Sequence, residues 1–393
     1  MRVIMATHGT MGDVQPLLAL AGELAQRGHE AVLAAPPNYA ARAAALGVRF
    51  RALGPHVEHQ RFSDAFSPLA GIPDPAEQVR STVGMLEDSA PRMFEELRDE
   101  CRHADVLLSF PYQIAGTLVR DSLDLPYVSI HFSPFGTGNK KMAATTAPII
   151  NRIRGRFGLA PLEDPLGTDA ISDQLAVFAV SPLVFRRPTR WPAHHRLTGY
   201  LFLDEPFEPP PALRDFLAAG DPPIVVTFGS VVHADRERVT DHVLAAIART
   251  GRRAIIQRGW SGLAERADLP ATVLALGDVP HAWLFPRAAC VVHACGAGTT
   301  AATLRAGVPA VPVPHWLDQP LWARMARDLR CAATVLPFAS MTGETLADAI
   351  EQTLGSPKVL ASAAALGEKL RAERGLTRLA ELLERVAARQ PLD

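Results

Sequence analysis

One stretch decides the fold of this chain: VVHACGAGTTAATLRAG, residues 291–307. Its apolar residues run into His293, which is followed by Gly296, Gly298 and two threonines, and then by an alanine-rich pattern typical of a helix. A short apolar strand that passes through a glycine turn into a helix is the repeating unit of a doubly wound parallel sheet. We therefore predict that a strand ends near His293 and that a helix begins near residues 297–299.

The same alternation of apolar runs and helical patterns extends through both halves of the chain. Predicted strands in the first half contain VIMA, EAVLAAP, VRFRAL, ADVLLSF and PYVSIHF, and those in the second contain PIVVTFGS, RRAIIQRGW, TVLALG and VPAVPVP. We predict an α/β protein with two Rossmann-like, doubly wound parallel-sheet domains that face each other across a central cleft. The segments 54–84 and 133–176 lack this pattern and are predicted to be irregular.

A proline-rich segment separates the two halves. Residues 198–223 contain six prolines, a composition typical of an interdomain linker. We predict an N-terminal domain over residues 1–202, a linker over 203–222, a C-terminal domain over 223–375, and a final helix over 376–393 that packs back on the N-terminal domain.

Length and charge exclude several classes of protein. The 393 residues suit two domains, and the 48% of hydrophobic residues supply a core for each. A net charge of −1, from 40 basic and 41 acidic residues, argues against a nucleic-acid binder that neutralises phosphates. The N-terminus lacks the apolar core of a signal peptide, and the sequence has no apolar run long enough to span a membrane. We therefore expect a cytoplasmic protein without a transmembrane segment.

The cysteines give no metal-binding pattern. Cys290 and Cys295 flank His293, but the four cysteines, at positions 101, 290, 295 and 331, lack zinc-ribbon spacing. We expect reduced, buried thiols and no metal site.

The corner at residues 293–300 has the chemistry of a diphosphate site. The first turn of a helix exposes unpaired backbone N–H groups with partial positive charge, and glycines let phosphate oxygens approach that backbone. Thr299 and Thr300 add hydroxyl groups, and His293 can donate from the strand end. The stretch lacks both the P-loop lysine and the spacing of the dinucleotide fingerprint. A purely structural alternative, a glycine corner with threonine N-caps, stays open.

Two other turns carry carboxylates. In HWLDQP, Asp318 and Gln319 precede a predicted helix and offer acceptors and donors suited to sugar hydroxyls, although Asp318 could equally be an N-cap. In HGTMGDVQP, Asp13 stands at the corresponding turn of the first half, where a carboxylate can take a proton from an attacking hydroxyl. Its alternative is again an N-cap, with Pro16 in the first helical turn.

These motifs resemble those of a known family, the inverting nucleotide-sugar glycosyltransferases of the two-domain GT-B fold in the UDP-glycosyltransferase superfamily. Residues 1–48 are similar to the N-terminal signature of that family. VTFGS, RAIIQRGW and residues 277–320 are similar to its donor signature. The resemblance covers almost the whole chain and is strongest for bacterial enzymes that glycosylate glycopeptide antibiotics and other natural products, and for sterol glycosyltransferases.

The resemblance implies a role for each motif. Asp13 takes the place of the catalytic base, and Asp318 and Gln319 take the places of contacts to the donor sugar. Trp260 and Val279 lie where the family holds the nucleotide base. The implied contacts to the donor diphosphate are Thr10, Ser230, His293, Gly296, Gly298, Thr299 and Thr300.

The resemblance also implies the reaction. An acceptor hydroxyl attacks the anomeric carbon opposite the diphosphate, so that configuration inverts, while Asp13 accepts the proton. The chain has no D-x-D pair to hold a metal, so we expect metal-independent transfer from a UDP- or TDP-sugar co-substrate and no cofactor. One departure is Cys295, at a position where relatives usually have glycine. Because both residues are small, we expect little effect.

The acceptor is expected to bind in the N-terminal half. The less regular segments there carry apolar and aromatic residues that suit an apolar aglycone better than a free sugar. Ordinary core packing is the alternative for each of them. The candidates are His56, Phe62, Phe66, Met85, Phe110, His131 and Phe135.

Several alternatives stay open. A sterol or lipid glycosyltransferase has the same motifs. A nucleotide-sugar epimerase of the same architecture needs acid and base carboxylates around the sugar and no roomy apolar pocket. A non-catalytic auxiliary protein is expected to lose its base or its phosphate contacts, and both are present here. We predict a natural-product glycosyltransferase, as a monomer or homodimer, whose sugar, acceptor and type of glycosidic linkage the sequence leaves undecided.

Overall fold

The computed structural model describes residues 1–57, 74–134, 140–260 and 262–392. The chain forms two compact units. The first comprises Met1–Leu203 together with Glu373–Asp393, and the second comprises Asp204–Ala372. The second unit is therefore inserted into the first, and each unit has its own sheet and hydrophobic core.

Seven strands form the sheet of the first unit. Strands β1 to β7 are Arg2–Ala6, Glu30–Ala35, Arg49–Ala52, Val106–Ser109, Tyr127–His131, Leu175–Phe178 and His195–Leu197. They are parallel, in the order β3-β2-β1-β4-β5-β6-β7. The order reverses between β1 and β4, and α/β proteins bind ligands beyond the carboxyl ends of the strands at such a reversal.

Helices cover both faces of this sheet, because alternate residues of β1 belong to two different hydrophobic clusters. Helices α1 to α6 are Met11–Gln26, Ala40–Ala45, Pro75–Leu86, Ala90–Cys101, Ile114–Arg120 and Lys140–Gly155. The prediction that residues 54–84 and 133–176 are irregular is wrong for α3, for α6 and for the start of β6. In α6, Pro148 interrupts the helical pattern of the sequence, but Ile149, Ile150 and Ile153 are buried in the cluster that also contains α3. Tertiary packing therefore outweighs the weak local propensity.

Five strands form the sheet of the second unit. Strands β8 to β12 are Ile224–Thr227, Ala254–Gln257, Val273–Leu276, Cys290–His293 and Ala310–Pro312. They are parallel, in the order β10-β9-β8-β11-β12, and the order reverses between β8 and β11. The prediction of two doubly wound parallel sheets is confirmed.

The helices of the second unit include part of the proline-rich segment. Helices α7 to α13 are Pro211–Ala218, Arg236–Thr250, His281–Leu284, Ala297–Ala306, Gln319–Asp328, Gly343–Leu354 and Pro357–Arg371. Leu213 of α7 is fully buried in a cluster with Val225 of β8. Asp204 accepts hydrogen bonds of 2.5 and 2.6 Å from Arg305 of α10. Residues 204–222, which the prolines suggest are a linker, thus pack as part of the second unit.

The last helix, α14 (Gly375–Ala387), returns to the first unit. Leu379 and Leu383 are fully buried in the same cluster as residues of β1 and α1. Glu384 accepts two hydrogen bonds of 2.9 Å from Arg27 and one of 2.8 Å from His29. These hydrogen bonds lower the pKa of Glu384 to about 2. The helix is therefore held to the first unit by apolar packing and by a cluster of charged groups.

Candidate functional site

Three strands of the second sheet end side by side with polar residues. The last residues of β9, β8 and β11 are Gln257, Thr227 and His293, which the strand register aligns in one row. Each is at most 3% exposed, although the residues that precede them in these strands are apolar. Because buried polar groups normally have hydrogen-bond partners, unused groups in this row mark a candidate ligand site.

The neighbouring backbone orients the ring of His293. Its Nδ1 accepts the N–H of Cys295 at 3.1 Å, so the hydrogen of the neutral ring is on Nε2. Burial lowers the pKa of His293 to about 3, which keeps the ring neutral near pH 7. Nε2 is buried and has no hydrogen-bond partner within the described ranges. His293 therefore presents an unused N–H donor.

Cys295 makes this hydrogen bond from a costly backbone conformation. Its φ of 64° is in the left-handed region, which costs an L-residue with a side chain roughly 1–2 kcal/mol and glycine almost nothing. The expectation that cysteine substitutes for glycine with little effect considered only size. The structure shows that the two residues differ here in backbone strain.

The first turn of α10 is open. Its N-cap is Gly296, and no side chain of the described residues caps the turn, so Thr299 and Thr300 are not N-caps. A Cβ atom added to Gly296 or Gly298 meets no atom of the described part of the chain within 4 Å, so a ligand can approach the backbone there. The Oγ1 atom of Thr300 is buried and unpartnered within the described ranges. The N–H groups of this turn, the helix dipole and the unused hydroxyl together form a candidate anion site beside His293.

The turns after β8 and β9 are joined. The backbone N–H of Trp260 donates to the carbonyl of Gly229 at 2.9 Å, and Ser230 is the next residue in that turn. Gly259 has a φ of 55°, and a Cβ atom there would lie 2.4 Å from the oxygen of Gly229, so only glycine fits this approach. The structure thus brings Ser230 and Trp260 to the same sheet edge as His293.

Val279, the second residue implied to hold the nucleotide base, is anchored by a residue that sequence reasoning missed. Its side chain is buried in the core, and its carbonyl accepts the Nε2 hydrogen of Gln257 at 2.8 Å. The Oε1 atom of Gln257 is buried without a partner among the described residues. The sequence contains a signal for Gln257, because a single amide ends the apolar run RAIIQ. The strand register places this amide in line with His293.

Asp318 and Gln319 begin α11, but Asp318 does not cap the helix with its side chain. Its Oδ2 atom instead accepts the indole N–H of Trp322 at 2.8 Å. The Oε1 atom of Gln319 accepts the backbone N–H groups of His315 at 2.8 Å and Trp316 at 3.2 Å. Both side chains are held at the turn that follows β12, the strand beside β11.

In the first unit, Asp13 lies inside α1 rather than before it. The helix begins at Met11, and Thr10 is the N-cap. The Oδ2 atom of Asp13 accepts the backbone N–H of Thr10 at 2.9 Å. Gly9 has a φ of 135°, and a Cβ atom there would lie 2.3 Å from that oxygen. Any side chain at position 9 would therefore collide with the carboxylate of Asp13 in this position. The N-cap alternative for Asp13 is therefore wrong, and its partly buried carboxylate sits at the positive end of the helix dipole.

The structure separates the acceptor candidates. Phe110 follows β4, donates its N–H to Ala6 of β1 at 3.0 Å, and has its ring 5.2 Å from that of Tyr112 and 5.3 Å from that of Phe132. It therefore lies at the strand end from which the Asp13 turn leaves.

Two of the remaining acceptor candidates are exposed and one belongs to the core. His131 is buried and stacks on Phe178 at 4.6 Å, as core packing predicts. His56 and Met85 are exposed. The candidates Phe62, Phe66 and Phe135 lie outside the described residues.

The described residues contain neither a group of metal-binding side chains nor a membrane-spanning helix. Across residues 1–57, 74–134, 140–260 and 262–392, no three side chains of His, Cys, Asp or Glu are grouped to hold a metal ion. Within those same ranges, every helix is too short or too polar to cross a bilayer.

Both halves of the chain match families of known proteins. Residues 3–93 match the glycosyltransferase family 28 N-terminal domain, and residues 241–386 match the erythromycin biosynthesis protein CIII-like C-terminal domain. The O-mycaminosyltylonolide 6-deoxyallosyltransferase of Streptomyces fradiae is 32% identical, over 98% of this chain and 97% of its own length. The chain is a glycosyltransferase of the UDP-glycosyltransferase superfamily. The resemblance inferred from the motifs is thereby confirmed.

This glycosyltransferase is also similar to a sterol-modifying enzyme and to a solved glycosyltransferase structure. A sterol 3-beta-glucosyltransferase of Arabidopsis thaliana is 29% identical over 96% of the chain, which spans only 64% of that longer relative. The structure of the glycosyltransferase VinC, determined in complex with DTDP, aligns with a TM-score of 0.73 and 21% identity, over 99% of this chain and 100% of VinC. The fold of the glycosyltransferase is GT-B.

Proposed function

We propose that this glycosyltransferase is an inverting, metal-independent enzyme that transfers a sugar from a UDP- or TDP-sugar to a hydroxyl of an apolar natural-product aglycone. The observation that carries the proposal is the unused Nε2–H of His293 beside the open first turn of α10. The diphosphate of a nucleotide sugar is an anion that fits such an array of N–H donors. The complex of VinC with DTDP supports this choice of ligand.

The same groups serve the leaving diphosphate. As the glycosidic bond breaks, negative charge grows on the diphosphate oxygen that held the sugar. The N–H groups of α10, the neutral ring of His293 and the hydroxyl of Thr300 are fixed before the reaction, so they stabilise that charge without reorganising. In this proposal they supply the stabilisation without a metal ion.

Asp13 is proposed as the general base. Attack of the acceptor hydroxyl on the face opposite the diphosphate inverts the anomeric carbon in one displacement, and the hydroxyl proton passes to a carboxylate. The hydrogen bond from Thr10 fixes Asp13.

An apolar acceptor is supported by the aromatic group beyond β4 and β5. The rings of Phe110, Tyr112 and Phe132 lie together, and Phe110 is bonded to the end of β1, from which the Asp13 turn leaves. Aromatic side chains beside a few polar groups are typical of sites for apolar small molecules. The similarity to the O-mycaminosyltylonolide 6-deoxyallosyltransferase of Streptomyces fradiae supports a natural-product aglycone.

A transfer assay tests the proposal. The enzyme is incubated with UDP-glucose or TDP-glucose, with and without a panel of polyketide and peptide aglycones, in the presence of EDTA. We expect a glycoside of inverted anomeric configuration that forms only with acceptor. A donor isomerised in the absence of acceptor would indicate an epimerase, and failure to bind UDP and TDP would contradict the proposal.

A sterol is the second candidate acceptor. The 29% identity to a sterol 3-beta-glucosyltransferase over 96% of this chain favours it. Adding cholesterol and sitosterol to the same panel separates the candidates, because a sterol enzyme transfers faster to these flat alcohols than to any macrolide or peptide.

A further inference from the structure

A cavity of about 560 Å³ lies at the amino ends of β5, β6 and β7 in the first unit. The turn of Asp13 and the ring of Phe110 follow the carboxyl ends of β1 and β4. Because all strands of this sheet are parallel, the cavity and these two residues lie at opposite edges of the sheet. The volume is within the usual range of sites for small molecules, yet the proposed transfer reaction gives this cavity no role.

The wall of the cavity is mostly apolar, and the segment that follows α14 forms one side of it. A side chain of the sheet holds that segment in place, because the guanidinium of Arg196, in β7, donates a hydrogen bond to the carbonyl of Leu392. An apolar wall with a few polar groups is typical of binding sites for organic molecules. The apolar lining residues are Pro126, Ala193, Val386 and Leu392.

Arg196 is a partly buried cation in this wall, and no carboxylate of the described residues pairs with it. Its Nε atom is buried and has no hydrogen-bond partner within the described ranges. Removing a charge from water is costly, so a partly buried guanidinium normally has an opposite charge or a full set of hydrogen bonds. Arg196 therefore marks the cavity as a site for an anion.

The polar neighbours of Arg196 preserve this positive character. The Oε1 atom of Gln174 accepts the backbone N–H of Tyr127 at 3.0 Å, which leaves the NH₂ group of Gln174 as a donor. Arg389 lies 3.8 Å from the carboxylate of Asp124, and their side chains are 72% and 101% exposed. Such an exposed ion pair is weak, so Asp124 does not supply the missing countercharge of Arg196.

We infer that this cavity is a second binding site, whose ligand is a carboxylate with an apolar body. The planar guanidinium of Arg196 matches the two oxygens of a carboxylate, and the NH₂ group of Gln174 can add a further hydrogen bond. The apolar wall receives the rest of the ligand. One unpaired guanidinium balances one negative charge, which favours a carboxylate over a phosphate dianion. The site shares no residue with the groups proposed to bind the donor or the acceptor.

Octanoate is a suitable probe, because it joins a carboxylate to an apolar chain. Its dissociation constant is measured by calorimetry for the wild type and two variants. Arg196→Gln removes the charge, and Ala193→Trp fills the cavity from an exposed position of its wall. The matched controls are Arg190→Gln and Thr189→Trp, at exposed positions of the same loop outside the cavity lining. Thermal unfolding checks that each variant folds, and a crystal structure with octanoate locates the ligand.

We expect both Arg196→Gln and Ala193→Trp to bind octanoate at least about tenfold more weakly than the wild type, while the two controls keep its affinity. Loss of a hydrogen bond to a charged group accounts for such a factor in the first variant. Acetate, which lacks the apolar chain, and 1-octanol, which lacks the charge, should each bind at least about tenfold more weakly than octanoate.

Several results would overturn the inference. Octanoate might bind the wild type, Arg196→Gln and Ala193→Trp equally, or the crystal structure might place it only beside Phe110; either result would assign its binding to another site. Absence of binding at millimolar octanoate would exclude the site, and tighter binding of octyl phosphate than of octanoate would contradict the choice of a carboxylate. Should Arg196→Gln fail to fold, Ala193→Trp and the crystal structure decide the question.

Discussion

Nδ1 of His293 lies 3.1 Å from the backbone nitrogen of Cys295, and this hydrogen bond decides which ring nitrogen of His293 is left for a ligand. A donor to Nδ1 leaves the hydrogen of a neutral ring on Nε2. Because burial lowers the pKa of His293 to about 3, the ring acts as a neutral donor rather than as a cation. If the site binds a diphosphate as proposed, we expect the affinity not to depend on protonation of this histidine near neutral pH.

Replacement of His293 tests its contact with the diphosphate. His293→Ala should weaken binding of UDP or TDP by about 10- to 100-fold, the range for a hydrogen bond to a charged acceptor. His293→Gln, whose amide can place an N–H near the position of Nε2, should retain more affinity. Wild-type affinity for a UDP-sugar, measured by calorimetry, should stay constant from pH 5.5 to 8. Equal nucleotide affinity in all three proteins would remove His293 from the site.

At Gly298, the proposed diphosphate needs open space beside the backbone, whereas the helix α10 would be more stable with a side chain there. Gly298→Ala should stabilise α10 by up to about 1 kcal/mol, because alanine is the better helix former and its Cβ meets open space. The same methyl group should obstruct a diphosphate and lower nucleotide affinity at least about tenfold. Thermal unfolding and nucleotide titration measure the two effects. Gly22→Ala in α1, where a Cβ also meets open space, is the control that should gain stability and keep its affinity.

Asp13→Asn separates catalysis from binding. The amide oxygen of asparagine can still accept the N–H of Thr10, so the start of α1 should persist. Transfer should slow by about 10²–10⁴-fold, the usual contribution of a general base. Donor affinity, measured on the same preparation, should not change. An asparagine variant with wild-type turnover would rule out Asp13 as the base.

Buried histidines predict a loss of stability in mild acid. Burial lowers the pKa of both His131 and His293 to about 3, against 6.5 in the unfolded chain. Between pH 6.5 and pH 3 the unfolded chain binds more protons than the folded protein. The free energy of unfolding is therefore highest above pH 6.5, and each histidine lowers it by up to about 1.4 kcal/mol for every unit by which the pH falls in this range.

Urea unfolding at pH 7.5, 6 and 5 measures this slope. His131→Phe, which keeps a ring against Phe178, should flatten the slope of the first unit. A replacement at exposed His56 should not. An unchanged slope in His131→Phe would contradict the assignment.

The hydrogen bonds of Glu384 in α14 with Arg27 and His29 predict a second loss of stability at more acidic pH. The pKa of Glu384 is lowered to about 2 by hydrogen bonds from Arg27 and His29, so its stabilisation is complete above about pH 4.5 and disappears as the pH falls toward 2. Glu384→Gln should cost about 1 kcal/mol at pH 7, because the pair is partly exposed. The variant and the wild type should become equally stable at pH 2. Exposed Glu381→Gln on the same helix is the control.

Local patterns in the sequence were sufficient for β1 to β5, for β8 to β12 and for the turn after β11, but β6 and β7 were not predicted. Apolar runs such as PIVV and CVVH are buried strands because a central parallel strand is covered on both faces, and such runs leave a clear trace. The glycines and the strand-end histidine of residues 291–307 likewise predict an anion site. Helix α6 was missed because its stability comes from packing on α3, which no short window of sequence contains.

Features that depend on orientation could not be predicted. The sequence shows that Asp318 and Gln319 precede a helix, but not that Trp322 and the turn of residues 315–316 bind their side chains. Gln257 was overlooked because one amide in an apolar run becomes informative only when the register sets it in line with His293. The start of α1 was misplaced because both Thr10 and Asp13 are good N-cap residues, and only the hydrogen bond between them shows which one caps.

The return of α14 to the first unit has a consequence for synthesis on the ribosome. Leu379 and Leu383 belong to the core of that unit, yet they are translated after all of residues 204–372. The inserted unit can therefore finish folding on the growing chain, while residues 1–203 keep an uncovered apolar face until α14 has been synthesised. Domains usually fold in the order of synthesis, and here the first unit is completed after the second.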